Sequence, residues 1–115
     1  MSYSGSCHCG RFRFEVEGTL GAVVDCDCSI CRKAGFLHWI VEAGQVRVLA
    51  GMEDLGEYVL GTGVARHHFC RICGVAPLRR PRMKPEGFSV NVRCLDGVDL
   101  ARLTVEPYAG TALPV

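Results

Sequence analysis

The chain has 115 residues, 49% of them hydrophobic and 22% charged, and a net charge of +1 at neutral pH. The length suits one domain spanning residues 1–115, and the near-neutral charge argues against a nucleic-acid or membrane-surface partner. No apolar run approaches the roughly 20 residues of a membrane span.

In chain order the signal is β. Met1 to Cys7 has neither a basic nor an apolar leader pattern, so no secretory signal is expected there. Arg11 to Glu17 alternates charged and apolar residues, as a half-buried strand does. Ala22 to Asp25 reads as a short buried strand running into Cys26. Ser29 to Ala34 is a candidate helical turn, and Leu55 with its neighbours is another. Strands are expected at Phe36 to Val41, Gln45 to Leu49, Glu57 to Leu60, Ala65 to Phe69, Phe88 to Val92 and Thr104 to Glu106. Gly61-Thr62-Gly63 marks a turn. The basic run Leu78 to Pro85, with its cations between Arg79 and Lys84, reads either as a solvated loop or as a clamp for substrate carboxylates. Short strands separated by glycine-rich turns indicate an all-β domain of stacked antiparallel sheets with little helix.

The cysteines carry the chemistry. Seven of the eight fall into three clusters: Cys7 and Cys9; Cys26, Cys28 and Cys31; Cys70 and Cys73. Such close spacings suit convergence on a metal better than disulfides within a cluster. Clustering without a leader points to a reducing compartment, the cytoplasm, rather than to a secreted disulfide scaffold. Cys7 and Cys9 with Cys70 and Cys73 would make a closed four-thiolate zinc site, structural in kind, that closes a loop of about sixty residues. Cys26, Cys28 and Cys31 would leave one position of a second zinc open, the pattern of a catalytic site. Three thiolates leave zinc at net −1, poor for activating water but suited to holding a further thiolate. Arg32 and Lys33 would offset that charge. The competing arrangement is a closed second site completed by Cys94 or a histidine. His67 and His68 are adjacent on a strand and point to opposite faces, so at most one can enter a given site. His38 sits in a strand beside Trp39.

The order of three motifs resembles the glutathione-dependent formaldehyde-activating enzyme family, which includes the centromere protein V relatives. They are Gly5-Ser6-Cys7-His8-Cys9-Gly10, Cys26-Asp27-Cys28-Ser29-Ile30-Cys31-Arg32-Lys33 and Phe69-Cys70-Arg71-Ile72-Cys73-Gly74, with a weaker match at Val90 to Asp96. The resemblance implies a tent-like fold of stacked sheets. It also implies a structural zinc at Cys7, Cys9, Cys70 and Cys73 and a catalytic zinc at Cys26, Cys28 and Cys31. The implied reaction joins glutathione and formaldehyde into S-hydroxymethylglutathione, the work of a carbon–sulfur lyase. Two other functions compete: a zinc-stabilised binding module without catalysis, and thiol redox chemistry at Cys94 like that of methionine sulfoxide reductase B.

Overall fold

Among the residues described by the computed structural model, 1–60, 63–81 and 84–109, ten strands and one α-helix form. The small sheet holds β1 (Ser2–Ser6), β2 (Arg13–Glu17) and β5 (Val46–Ala50), in the order β1-β2-β5. The large sheet holds β3 (Ala22–Cys26), β4 (His38–Val41), β6 (Leu55–Val59), β7 (Arg66–Cys70), β8 (Leu78–Arg80), β9 (Phe88–Asn91) and β10 (Thr104–Tyr108). Its order is β10-β3-β4-β9-β8-β7-β6. The helix, α1 (Ser29–Ala34), follows β3 directly and ends at Gly35, whose φ of 68° gives the left-handed cap. The expected strand-dominated architecture of stacked sheets with little helix is thus the observed one, with two sheets. Its pairings are antiparallel apart from β10 on β3, which is parallel.

Three sequence expectations are corrected. Leu55 begins β6 rather than a helix; the helical turn there is the 3₁₀ segment Met52–Asp54 just before it. The solvated-loop reading of the basic run fails at its start, because Leu78–Arg80 pairs on both sides as an inner strand. At the end of that strand Arg80 lies over the Phe88 ring, and beyond it Lys84 reaches Glu42 at 2.8 Å. Arg82 and Met83 lie outside the described residues, as do Gly61 and Thr62 of the expected turn. The third correction is β1, which the sequence reading missed because Ser2 to Ser6 lacks apolar alternation. It forms because Gly5, directly opposite Phe14, leaves room for that ring: a Cβ on Gly5 would lie 2.6 Å from the Phe14 ring tip.

Register divides the large sheet into two faces. Residues directly opposite each other in an antiparallel pair share a face. Leu78 opposes Val90, and Val90 opposes Trp39. This apolar row packs against Phe12, Phe14 and Val16 of the small-sheet layer to make the core. Tyr3 closes it edge-on against Trp39, with ring centroids 5.5 Å apart. The alternate positions form a second row: His67 opposes Arg79, Arg79 opposes Ser89, and His38 opposes Asn91. All five of these polar residues are buried. The face opposite the core therefore also meets protein, namely the segment from Cys26 through α1.

Gly51 braces the layers where β5 turns into Met52–Asp54. Its φ is 84°, and a Cβ there would fall 2.0 Å from the Arg11 carbonyl oxygen. The turn it permits lets the Asp54 carbonyl accept from Arg71 N at 2.8 Å, within the Cys70–Cys73 segment. Gly51→Ala should cost roughly 2–4 kcal/mol of stability through backbone strain and the forced shift. Urea denaturation of the metal-loaded protein measures it; an unchanged midpoint would show that the turn is not held this tightly.

Candidate metal centres

Two short backbone turns build the first cluster. Gly10, at φ 79°, turns the chain so that its N–H donates to the Cys7 carbonyl. Gly74, at φ 82°, does the same toward Cys70. The turns face each other although they lie about sixty residues apart in sequence. Cys7 and Cys9 sulfurs are 3.6 Å apart, and Cys9 and Cys70 sulfurs 3.7 Å. All four Sγ atoms lie within 4.8 Å of one another. A tetrahedron with ~2.3 Å metal–sulfur bonds has sulfur–sulfur edges of about 3.8 Å, so the quartet fits zinc. Backbone N–H groups of Phe12 and Ile72 donate to the sulfurs of Cys7 and Cys70 at 3.5 and 3.4 Å, as thiolate ligands require.

The electrostatics of the quartet also call for a cation. Burial pushes the Cys7 thiol up to about 11. At Cys73 burial also raises the thiol, but N–H donors from Val75 and Cys9 and the neighbouring sulfurs override it, leaving about 6. Contacting thiols divide in this way because they cannot all carry charge without a counter-ion.

The second cluster grows from one continuous segment. Cys26 ends β3, Cys28 caps α1 and Cys31 lies on its first turn. Their sulfurs lie within 4.8 Å of one another, and none of the three residues is more than 6% exposed. No histidine or carboxylate among the described residues joins this trio as a further ligand. Tyr108 packs against it from β10. A cleft of about 440 Å³ opens beside Cys26, lined also by Asp25, Asp27, Arg32 and Tyr108. Three thiols without a further ligand among the described residues could hold a metal ion and leave one coordination position free.

The polar row of the large sheet lies directly behind the trio. Arg79 Nη1 donates to Cys31 Sγ at 2.6 Å. His38 Nε2 is 3.1 Å from the same sulfur, and its Nδ1 is 2.6 Å from Ser89 Oγ. Burial, then the charge of Arg79, then that of His67, push His38 down to about 3, so its imidazole is neutral at physiological pH. With Cys31 as a thiolate, Nε2 carries the proton toward sulfur and Ser89 donates to Nδ1. At Cys28, burial raises the thiol, but backbone and sulfur hydrogen bonds and the Arg79 charge outweigh it and the net shift is downward.

Placement differs from expectation for the cations. Arg32 and Lys33 are exposed, and Arg32 reaches only the cleft. The cation on sulfur is Arg79, which belongs to the run expected to be either a solvated loop or a clamp for substrate carboxylates. Ser89 was missed as well. Its signal lay in the alternation of Phe88 to Val92, which puts Ser89 and Asn91 on one face without saying what that face meets. Cys94 belongs to neither cluster; its sulfur lies 4.0 Å from the Ala76 carbonyl, and burial raises its thiol to about 11. His67 is packed edge-on against Phe36, and neither ring nitrogen has a hydrogen-bond partner among the described residues.

Two predictions follow from this geometry. Cys70→Ser should release the metal of the quartet and unfold or aggregate the protein, because lost metal binding is lost folding energy; an unchanged melting temperature would contradict the assignment. The second concerns acid. Burial first, then the charges of Arg79 and His68, push His67 down to about 4. Between about pH 6.5, where an unfolded histidine titrates, and about pH 4, the unfolded chain binds more protons, so stability falls as pH drops through that window. His67→Gln should lose about 1–2 kcal/mol less than the parent protein between about pH 7 and about pH 5. Paired urea titrations at the two pH values test this, and parallel losses would contradict it.

Comparison with known proteins supports the fold. A crystal structure of a Rhodobacter sphaeroides protein, solved as a structural genomics target, superimposes with a TM-score of 0.81 at 36% sequence identity, covering 90% of this chain and 99% of that one. The profile of the glutathione-dependent formaldehyde-activating enzymes matches residues 2–111, and the chain belongs to that family.

Proposed function

We propose that this protein catalyses the joining of glutathione and formaldehyde to S-hydroxymethylglutathione, and the reverse carbon–sulfur cleavage, at Cys26, Cys28 and Cys31. The observation that carries the proposal is the trio itself: three buried sulfurs within 4.8 Å of one another, without a further protein ligand among the described residues, beside an open cleft. Family membership supports the substrate pair.

Both metals are zinc in this proposal, one at Cys7, Cys9, Cys70 and Cys73 as a structural clamp and one at the trio. Zinc at the trio would keep a substrate thiol ionised at neutral pH, well below its free pKa of about 8.5. The chain's own residues do the rest. Arg32, exposed at the cleft, is placed to pair with a carboxylate of glutathione. Burial of Cys26, Cys28 and Cys31, with Ile30 and Tyr108 packed against them, limits water on the sulfur side of the site. His38, locked between Ser89 and Cys31, fixes the orientation of Cys31 and holds its proton on a defined nitrogen. In the forward reaction the thiolate sulfur bonds to the carbonyl carbon, and the carbonyl oxygen takes up a proton. Holding the two reactants together supplies much of the rate effect.

The chain works as one domain over residues 1–115, in the cytoplasm, where its eight free thiols stay reduced. No helix among the described residues is long and apolar enough to cross a membrane.

Because the adduct also forms without a catalyst, the test is an exchange rate. Exchange spectroscopy on glutathione and formaldehyde at equilibrium should show faster interconversion with the zinc-loaded protein. Cys28→Ser, folded and still holding the quartet metal, should return exchange to the uncatalysed rate. Wild-type exchange by that variant would remove the trio from the mechanism. Failure of glutathione to raise the melting temperature of the loaded protein would mean that another thiol is the substrate.

A further inference from the structure

Arg79 is only 3% exposed and lies on an inner strand of the large sheet. A guanidinium stays charged at every relevant pH, and burying one without an anion is costly. Yet Arg79 has no carboxylate partner among the described residues, and its Nε has no hydrogen-bond partner there. Its neighbours across the sheet are His67 on β7 and Ser89 on β9. His67 is neutral because burial and Arg79 itself keep it so, and Ser89 carries no charge. The group it does contact is Cys31, through Nη1 at 2.6 Å. The anion that Arg79 is built to meet is therefore the sulfur trio.

Charge counting gives this contact a consequence. Three thiolates on a divalent ion carry net −1, and Arg79 brings the buried centre to zero. An incoming thiolate then makes it −1; without Arg79 the same ligand would make it −2 in a site largely closed to water. A neutral donor adds no charge in either case, so its binding depends far less on the arginine.

We infer that Arg79 is the charge-setting residue of the three-cysteine centre: by neutralising it, Arg79 selects an anionic thiolate over a neutral nitrogen donor as the incoming ligand. The inference rests on the proposed zinc–thiol function and adds the residue that determines ligand class. Arg79 acts through Cys31, so it is a positioning residue and not a catalytic one.

The test needs no turnover. The protein is loaded with cobalt(II), whose visible spectrum reports a change of ligand, and titrated separately with 2-mercaptoethanol and with imidazole. In Arg79→Met the affinity for 2-mercaptoethanol, measured relative to that for imidazole, should fall at least about tenfold. Arg79→Lys, which keeps the charge, should stay close to the parent ratio. A spectrum showing the quartet still loaded establishes that each variant is folded. An unchanged ratio in Arg79→Met overturns the inference and leaves the proposed function standing. A ratio in Arg79→Lys as low as that expected for Arg79→Met also overturns it, since charge would then not be the cause; if Arg79→Met does not fold, Arg79→Lys alone decides. A parent protein whose trio takes up no cobalt and no zinc overturns both the inference and the proposed function.

Discussion

Successive side chains of a strand point to opposite faces, and the large sheet uses that alternation for two different purposes. Leu78, Val90 and Trp39 face the small sheet and make the core. His67, Arg79, Ser89 and His38 face the other way and make the wall behind the cysteine trio. The site depends on this register. A slip of one residue in β8 would exchange Leu78 with Arg79, sending a guanidinium into the apolar core and a leucine against the sulfurs. Burial on both faces is what makes the register so strongly specified.

The cysteine quartet contributes a constraint of another kind. Cys7 and Cys9 lie just beyond β1, and Cys70 ends β7, so one metal ion would join the small sheet to the large one. The 3₁₀ turn after Gly51 reinforces the same junction through Asp54 and Arg71, without metal. A chain this short buries a limited core, and a metal clamp between layers adds stability where apolar area is limited. With a metal at the quartet stabilising the layers, the trio, 6% exposed or less at each residue, could leave a coordination position free without endangering the fold.

Much of this was legible in the residues. The two-plus-two and three-in-a-row cysteine spacing separated a closed site from an open one, and the motif order carried the family. Eight of the ten strands among the described residues were legible, three from period-two alternation and the rest from short apolar or branched runs bounded by turns. The failures share a cause. Alternation says which residues share a face but is silent on what that face meets, so nothing in Phe88 to Val92 showed that Ser89 and Asn91 are buried. Leu78 to Arg80 offered three residues and two cations, too little for any pattern, and Ser2 to Ser6 forms a strand only because Phe14 lies opposite Gly5.

What the sequence by itself determined is the inventory and its grouping. Two cysteine pairs and a triple set which thiols stand close together along the chain, because that spacing is a local property of the sequence. What only the tertiary structure decided is the company the triple keeps. Arg79, His38 and Ser89 come from β8, β4 and β9, 48, 7 and 58 residues from Cys31. They converge on the trio only once four neighbouring strands are in register. Cross-strand proximity is created by pairing, and no spacing along the chain encodes it, so the charge state of the reactive centre is a property of the folded sheet.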